Sequence, residues 1–178
     1  MANAKARWRM RGVFPLLAMV LLLAGCGYRF AGGEDNIDPT IQTIFVETFG
    51  NQTSEAQVAN FFQSAFASQF VQRGRFRLAA NRGEADAICR GTVLNLQTSP
   101  LSYRASNLAA EERMTVTLAV TLEDNKSGQV LWTNAGFVGT GDYPVTAAGA
   151  TEANRRNALV KLAADTAERA YRLMMSGF

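Results

Sequence analysis

The clearest pattern in the chain is a strict alternation. Met114, Val116, Leu118, Val120 and Leu122 are apolar, and Thr115, Thr117, Ala119, Thr121 and Glu123 stand between them. A period of two predicts a half-buried β-strand. One face of it is core. The other is small, polar and β-branched, which suits a sheet face open to water or to a partner. Asp124-Asn125-Lys126-Ser127-Gly128 follows as a hairpin loop. Gln129 to Gly139 is the return strand, carrying Val130, Leu131, Trp132, Phe137 and Val138. Gly139-Thr140-Gly141 reads as a turn, and 141–150 as loop.

Two segments have helical spacing instead. Val58, Phe61, Phe62, Ala65, Phe66 and Phe70 recur on one face, with Gln57, Asn60, Gln63 and Gln69 elsewhere. Ser54 with Gln57 matches a capping box, and Arg73-Gly74 supplies a cation and a glycine for the helix end. A stripe of four phenylalanines can bind lipid or pack on a sheet, and regular spacing is what sheet packing requires. A second helix is predicted from about Thr151 to Met175, with Leu159, Leu162, Ala163, Thr166, Ala167, Ala170 and Met174 on one face.

The remaining strands are less regular. Ile41 to Thr48, Phe76 to Ala79 and Ile88 to Gln97 are candidates, and Gly91 marks a bulge or a close backbone approach. Thr98 to Ala110 reads either as a long polar connection or as two strand ends joined by Ala105-Ser106-Asn107. The order β-α-β-β-β-β-α predicts an α+β fold. It is a two-layer sandwich with both helices on one face of a mixed four- to five-stranded sheet.

The N-terminus changes the reading of charge and compartment. Lys5, Arg7, Arg9 and Arg11 precede an apolar run from Val13 to Leu23, and Leu23-Ala24-Gly25-Cys26 follows. This is the layout of a secretory signal ending in a lipobox. Residues 1–25 are expected to be removed, leaving Cys26 lipidated at the new N-terminus. Residues 26–40 then form a tether and 41–178 a single domain. The full chain has 18 basic and 15 acidic residues, and four of the basic ones lie in the signal. The mature chain thus carries 14 against 15, and its charge offers no argument for nucleic acid as a partner. With Cys26 lipidated, Cys89 has no disulfide partner and reads as a small buried hydrophobe.

The chain contains no histidine. That excludes a Ser-His-Asp triad, a Cys-His pair and a histidine zinc site. No phosphate loop is present. The acidic pairs Glu34-Asp35, Glu111-Glu112 and Glu123-Asp124 fall at the tether or at strand ends, where solvated charge normally sits. No nucleophile, base and orienting group can be assembled, so no catalytic residue, metal or cofactor is expected beyond the lipid on Cys26.

Several stretches resemble the lipopolysaccharide-assembly lipoprotein family, LptE. They are Cys26-Gly27-Tyr28, Ile44-Phe45-Val46 with Phe49-x-Asn51-x-Thr53, Ala85-Asp86-Ala87-Ile88-x-x-Gly91, Tyr103-Arg104 and Gly128-Gln129-Val130-Leu131-Trp132. The resemblance implies an outer-membrane lipoprotein facing the periplasm, with two helices on a four-stranded sheet. It implies a plug in the lumen of the large β-barrel LptD, a role in that barrel's assembly, and lipopolysaccharide as a ligand. Thr115, Thr117 and Thr121 would face the barrel. Arg104 would meet the anionic lipid at the tip of the central strands. The family's second basic position falls near Gly149-Ala150-Thr151, which has no Lys or Arg, and Arg155 lies one turn later. The alternative is a lipoprotein subunit of another envelope or secretion complex.

Overall fold

A computed structural model describes residues 36–104, 108–146 and 148–177. The signal, the lipobox and Cys26 lie outside the described residues. Among these residues six strands form one sheet: β1 Thr43–Val46, β2 Gly50–Asn51, β3 Arg77–Leu78, β4 Ala87–Tyr103, β5 Ala109–Asp124 and β6 Val130–Pro144. Helix α1 spans Val58–Gln72 and helix α2 spans Ala148–Ser176, with a 3₁₀ turn at Arg82–Glu84. Strand order is β3-β1-β4-β5-β6, with β2 added to β4. β1 runs parallel to β3 and β4, and β4, β5 and β6 form an antiparallel meander. The expected α+β sandwich on a mixed sheet is therefore observed, and the sheet is larger by the two-residue strand β2.

The alternation in β5 decides where the core lies. Met114, Val116, Leu118, Val120 and Leu122 are buried to within 1%. They meet Phe62, Phe66 and Phe70 of α1, and Leu159, Leu162, Ala163, Ala167, Ala170 and Met174 of α2, in one cluster. The phenylalanine stripe is thus core, and Phe61 alone of the four is partly exposed. Two glycines let the layers close. A Cβ on Gly91 would lie 2.1 Å from the Phe49 ring, and one on Gly139 would lie 2.3 Å from Thr166 Oγ1. Phe49 in turn packs on Phe66 with ring centroids 5.3 Å apart. Gly139-Thr140-Gly141 is accordingly not a turn. It is the stretch of β6 against which α2 lies, and 141–144 is strand rather than loop.

The helix entry also differs from expectation. α1 begins at Val58, and Gln57 makes no side-chain capping bond. Asn51 Oδ1 instead accepts the backbone N–H of Thr53, and Thr53 Oγ1 accepts that of Glu55. Side-chain turns of this kind offer the backbone an alternative to a helix cap, and they shape the lead-in to α1 here. The other end is as expected: Gly74 takes φ 70° and its N–H reaches Val71 O at 2.9 Å.

Two further features bear on function. Thr98 to Ala110 is mostly paired strand, with Thr98 opposite Met114 and Tyr103 opposite Ala109. The domain also starts before residue 41. Ile37 is fully buried, the Asn36 N–H donates to Met175 O at 2.9 Å, and Arg75 donates to Ile37 O at 2.5 Å.

Candidate interaction face

Because both helices lie on one side, the other side of the sheet has no covering layer among the described residues. Directly opposed residues share a face, so the register lists what this open face displays. One row is Gln97, Thr115 and Thr140. The next is Asn95, Thr117 and Val138, and a third is Arg90, Thr121 and Thr133. Thr92 opposes Ala119 between them. Thr115, Thr117 and Thr121 are all half-buried. At ~3.4 Å per residue the threonine row is roughly 20 Å long. It is short-chained, and Thr121 and Thr133 bond to each other at 3.0 Å.

Ion pairs close this face at both ends. At one end Arg90 reaches Glu47 at 2.9 Å and Glu123 at 2.8 Å, and Arg82 approaches the same two carboxylates at 3.5 and 3.9 Å. Ile88, opposite Glu123 in the register, is fully buried and lies outside the helix-covered core. Beside it, the Asp86 carboxylate accepts bonds from the Thr43 hydroxyl at 2.8 Å and from the Gln42 and Thr43 N–H groups at 3.1 Å. The Thr43 hydroxyl, then the Gln42 N–H, hold its carboxyl well below the usual range. At the other end Arg113 grips Asp142 through two bonds of 2.7 and 2.8 Å. Asp142 is lowered by this hydrogen bond and by the adjacent charge.

Arg104 follows the last residue of β4 at the hairpin tip. Its guanidinium donates to the Val145 carbonyl, just ahead of α2, and its N–H donates to Leu108 O at 2.8 Å. The tip and the segment leading into α2 are therefore neighbours. Tyr103 and Leu108 beside Arg104 are 64% and 65% exposed. Arg155 is committed elsewhere. It bonds Glu55 at 2.6 Å, a residue one hundred positions earlier, and approaches Glu152 at 3.7 Å. Sequence spacing carries no signal for that pair.

The described acidic pairs are divided among separate partners. Glu111 accepts from Ser102, Glu112 accepts from the Tyr143 hydroxyl, Glu123 meets arginines, and Asp124 folds its own loop through Lys126 and Ser127. Burial pushes the Tyr143 hydroxyl up to about 12, with Glu112 adding to it. Cys89 is fully buried and burial pushes its thiol up to about 12, so it is inert as a nucleophile. Among the described residues no group of acidic, Cys or His side chains could hold a metal ion, and no helix is long and apolar enough to cross a membrane.

The LptE family model, described as lipopolysaccharide-assembly, matches residues 41–174. The chain belongs to the LptE family. The match takes in the open face, the hairpin tip and both helices, and four of the five stretches that carried the resemblance lie within it. Solved structures agree on the fold. The protein XCC0632 from Xanthomonas campestris is similar at 12% identity and TM-score 0.56, over 82% of this chain and 90% of that one. Uncharacterized lipoprotein B from Nitrosomonas europaea is similar at 14% identity and TM-score 0.54, over 85% and 92%. No curated protein sequence matches the chain. As an LptE-family member this is a lipopolysaccharide-assembly lipoprotein, and the family is a non-enzymatic one.

Proposed function

We propose that this LptE-family protein, lipidated at Cys26 and anchored in the outer membrane facing the periplasm, plugs the lumen of an LptD-type β-barrel and assists its assembly. The observation that carries this reading is the open sheet face. It is threonine-rich from Thr115 to Thr121, and the arginines that flank this row, Arg90 and Arg113, are ion-paired. A barrel lumen is polar, and a surface of short hydroxyl side chains enters it without burying unpaired charge. Thr115, Thr117 and Thr121 are the barrel-facing residues in this reading.

The test is a photo-crosslinking residue at Thr117 in the otherwise intact protein, followed by purification from detergent-solubilised envelopes. A crosslink to a much larger β-barrel is expected. Capture of a different envelope protein through the same position would move the protein to another complex. Arg104 is assigned to lipopolysaccharide phosphate, which guanidinium groups bind through paired hydrogen bonds. Arg104→Ala is expected to weaken lipopolysaccharide binding with folding intact, and unchanged affinity at low salt would remove Arg104 from the site.

A further inference from the structure

The described chain begins at a corner that is rich in arginine. Asn36 is bonded to Met175 near the end of α2, and Arg75 donates to the Ile37 and Asp38 carbonyls at 2.5 and 3.3 Å. Arg73 follows the last residue of α1 and ties it to α2 through Glu168 at 2.7 Å. Arg172 stands one turn beyond Glu168 on α2. Arg77 opens β3 on the sheet's outer edge, opposite Thr43. Arg77 and Arg172 are exposed and have no acidic partner among the described residues. Arg73 is 46% exposed despite its pair with Glu168, and the Asp38 carboxylate is turned onto Thr40. Beside these cations the apolar side chains Val71 and Leu78 are 49% and 44% exposed.

Ten Cα–Cα steps, through nine intervening residues, separate Asn36 from Cys26. Fully extended they reach roughly 35 Å. Whatever surface holds Cys26 is therefore within reach of this corner.

We propose that the Arg73, Arg75, Arg77 and Arg172 corner docks on the anionic phospholipid headgroups of the membrane that holds the lipid anchor. This rests on lipidation at Cys26, as proposed above. The chemistry is the pairing of a short acyl tether with a basic patch, in which each arginine near an anionic surface strengthens binding about fivefold. Leu78 and Val71 meet the headgroup layer between the arginines. Docking here turns one end of the domain toward the membrane and orients the open face relative to it.

The test uses the lipidated mature protein carrying Leu78→Cys and a nitroxide label. Cys26 is then blocked by lipid, and Cys89 is buried and does not compete. The protein is reconstituted into vesicles of phosphatidylethanolamine with phosphatidylglycerol, or of phosphatidylcholine alone. Flotation of the protein with both vesicles reports the anchor. Shielding of the label from a water-soluble relaxing agent, in the phosphatidylglycerol vesicles only, reports the corner. Arg77→Glu with Arg172→Glu is expected to reduce docking at least about 25-fold at that per-residue strength. Circular dichroism checks that the double variant folds. A protein that floats with its label equally open to water in both vesicles overturns the proposal and leaves lipidation standing. Failure to float overturns the anchor and this proposal with it. Shielding that is equal in neutral vesicles, or that appears only when lipopolysaccharide is added, also overturns it.

Discussion

The two faces of the central sheet are built from the same strands and are chemically opposite. Toward the helices, β5 presents Met114, Val116, Leu118, Val120 and Leu122, all but fully buried. Away from them it presents Thr115, Thr117 and Thr121, half-buried with nothing stacked above. Burial of apolar area drives folding at ~25 cal/mol per Å², so stability resides on the covered face. The open face is held by the strands' own ladder and by paired charges at its ends. Its side chains are consequently available to a partner without cost to the fold. A protein that must fold before it meets its partner benefits from that separation.

Truncation of the covered face is the largest way to probe the contrast. Phe66→Ala is expected to lower stability by ~3–5 kcal/mol, read as a shift in the denaturant midpoint. Phe66 is 1% exposed and packs against Phe49 with the rings tilted. Next, Gly91→Ala drives a methyl into the Phe49 ring. It should cost about 2 kcal/mol, and Phe49→Leu in the same chain should recover part of it.

Asp86 tests the ionic margin of the open face. Removing its carboxylate leaves the Gln42 and Thr43 N–H groups short of an acceptor, and Asp86→Ala should cost about 1–2 kcal/mol at neutral pH. Its folded carboxyl titrates below its unfolded value. The stability it contributes is then complete above the unfolded pKa of about 3.9 and is lost as pH falls below that. The variant's stability should accordingly fall less steeply than the parent's from about pH 4 downward. Thr117→Ala should do least, within ~0.5 kcal/mol of the parent in unfolding. A large loss of stability there would show that the open face takes part in folding, and the contrast would fail.

How much of this was legible in the sequence depended on whether one face alone was buried. β5 and α1 announce themselves because apolar and polar positions separate cleanly. The outer half of β4, from Asn95 to Tyr103, is largely exposed on both faces. It has no periodicity to read, and pairing with β5 holds it in place. Gly139 was misleading for a related reason: its signal is a missing side chain, and the Thr166 side chain that occupies the space lies 27 positions on. Ile37 is a single apolar residue in a polar run, so composition assigned it to the tether. At the candidate site the threonine row was visible from alternation. The convergence of Arg104 on Val145 and the capture of Arg155 by Glu55 were not, since both depend on which ends of the sheet and helices meet.

Ile37 has a mechanical consequence. A pull on the chain ahead of Asn36 does not fall directly on the sheet. It must first draw a fully buried isoleucine from the core and break the Arg75 grip on two backbone carbonyls. Behind that lies β1, which is flanked by β3 and β4 running in the same direction. Tension along such a strand shears several hydrogen bonds together, whereas an edge strand pulled from its end unzips one bond at a time. The domain is fastened to its leash like a button behind cloth, at the place where load is best resisted.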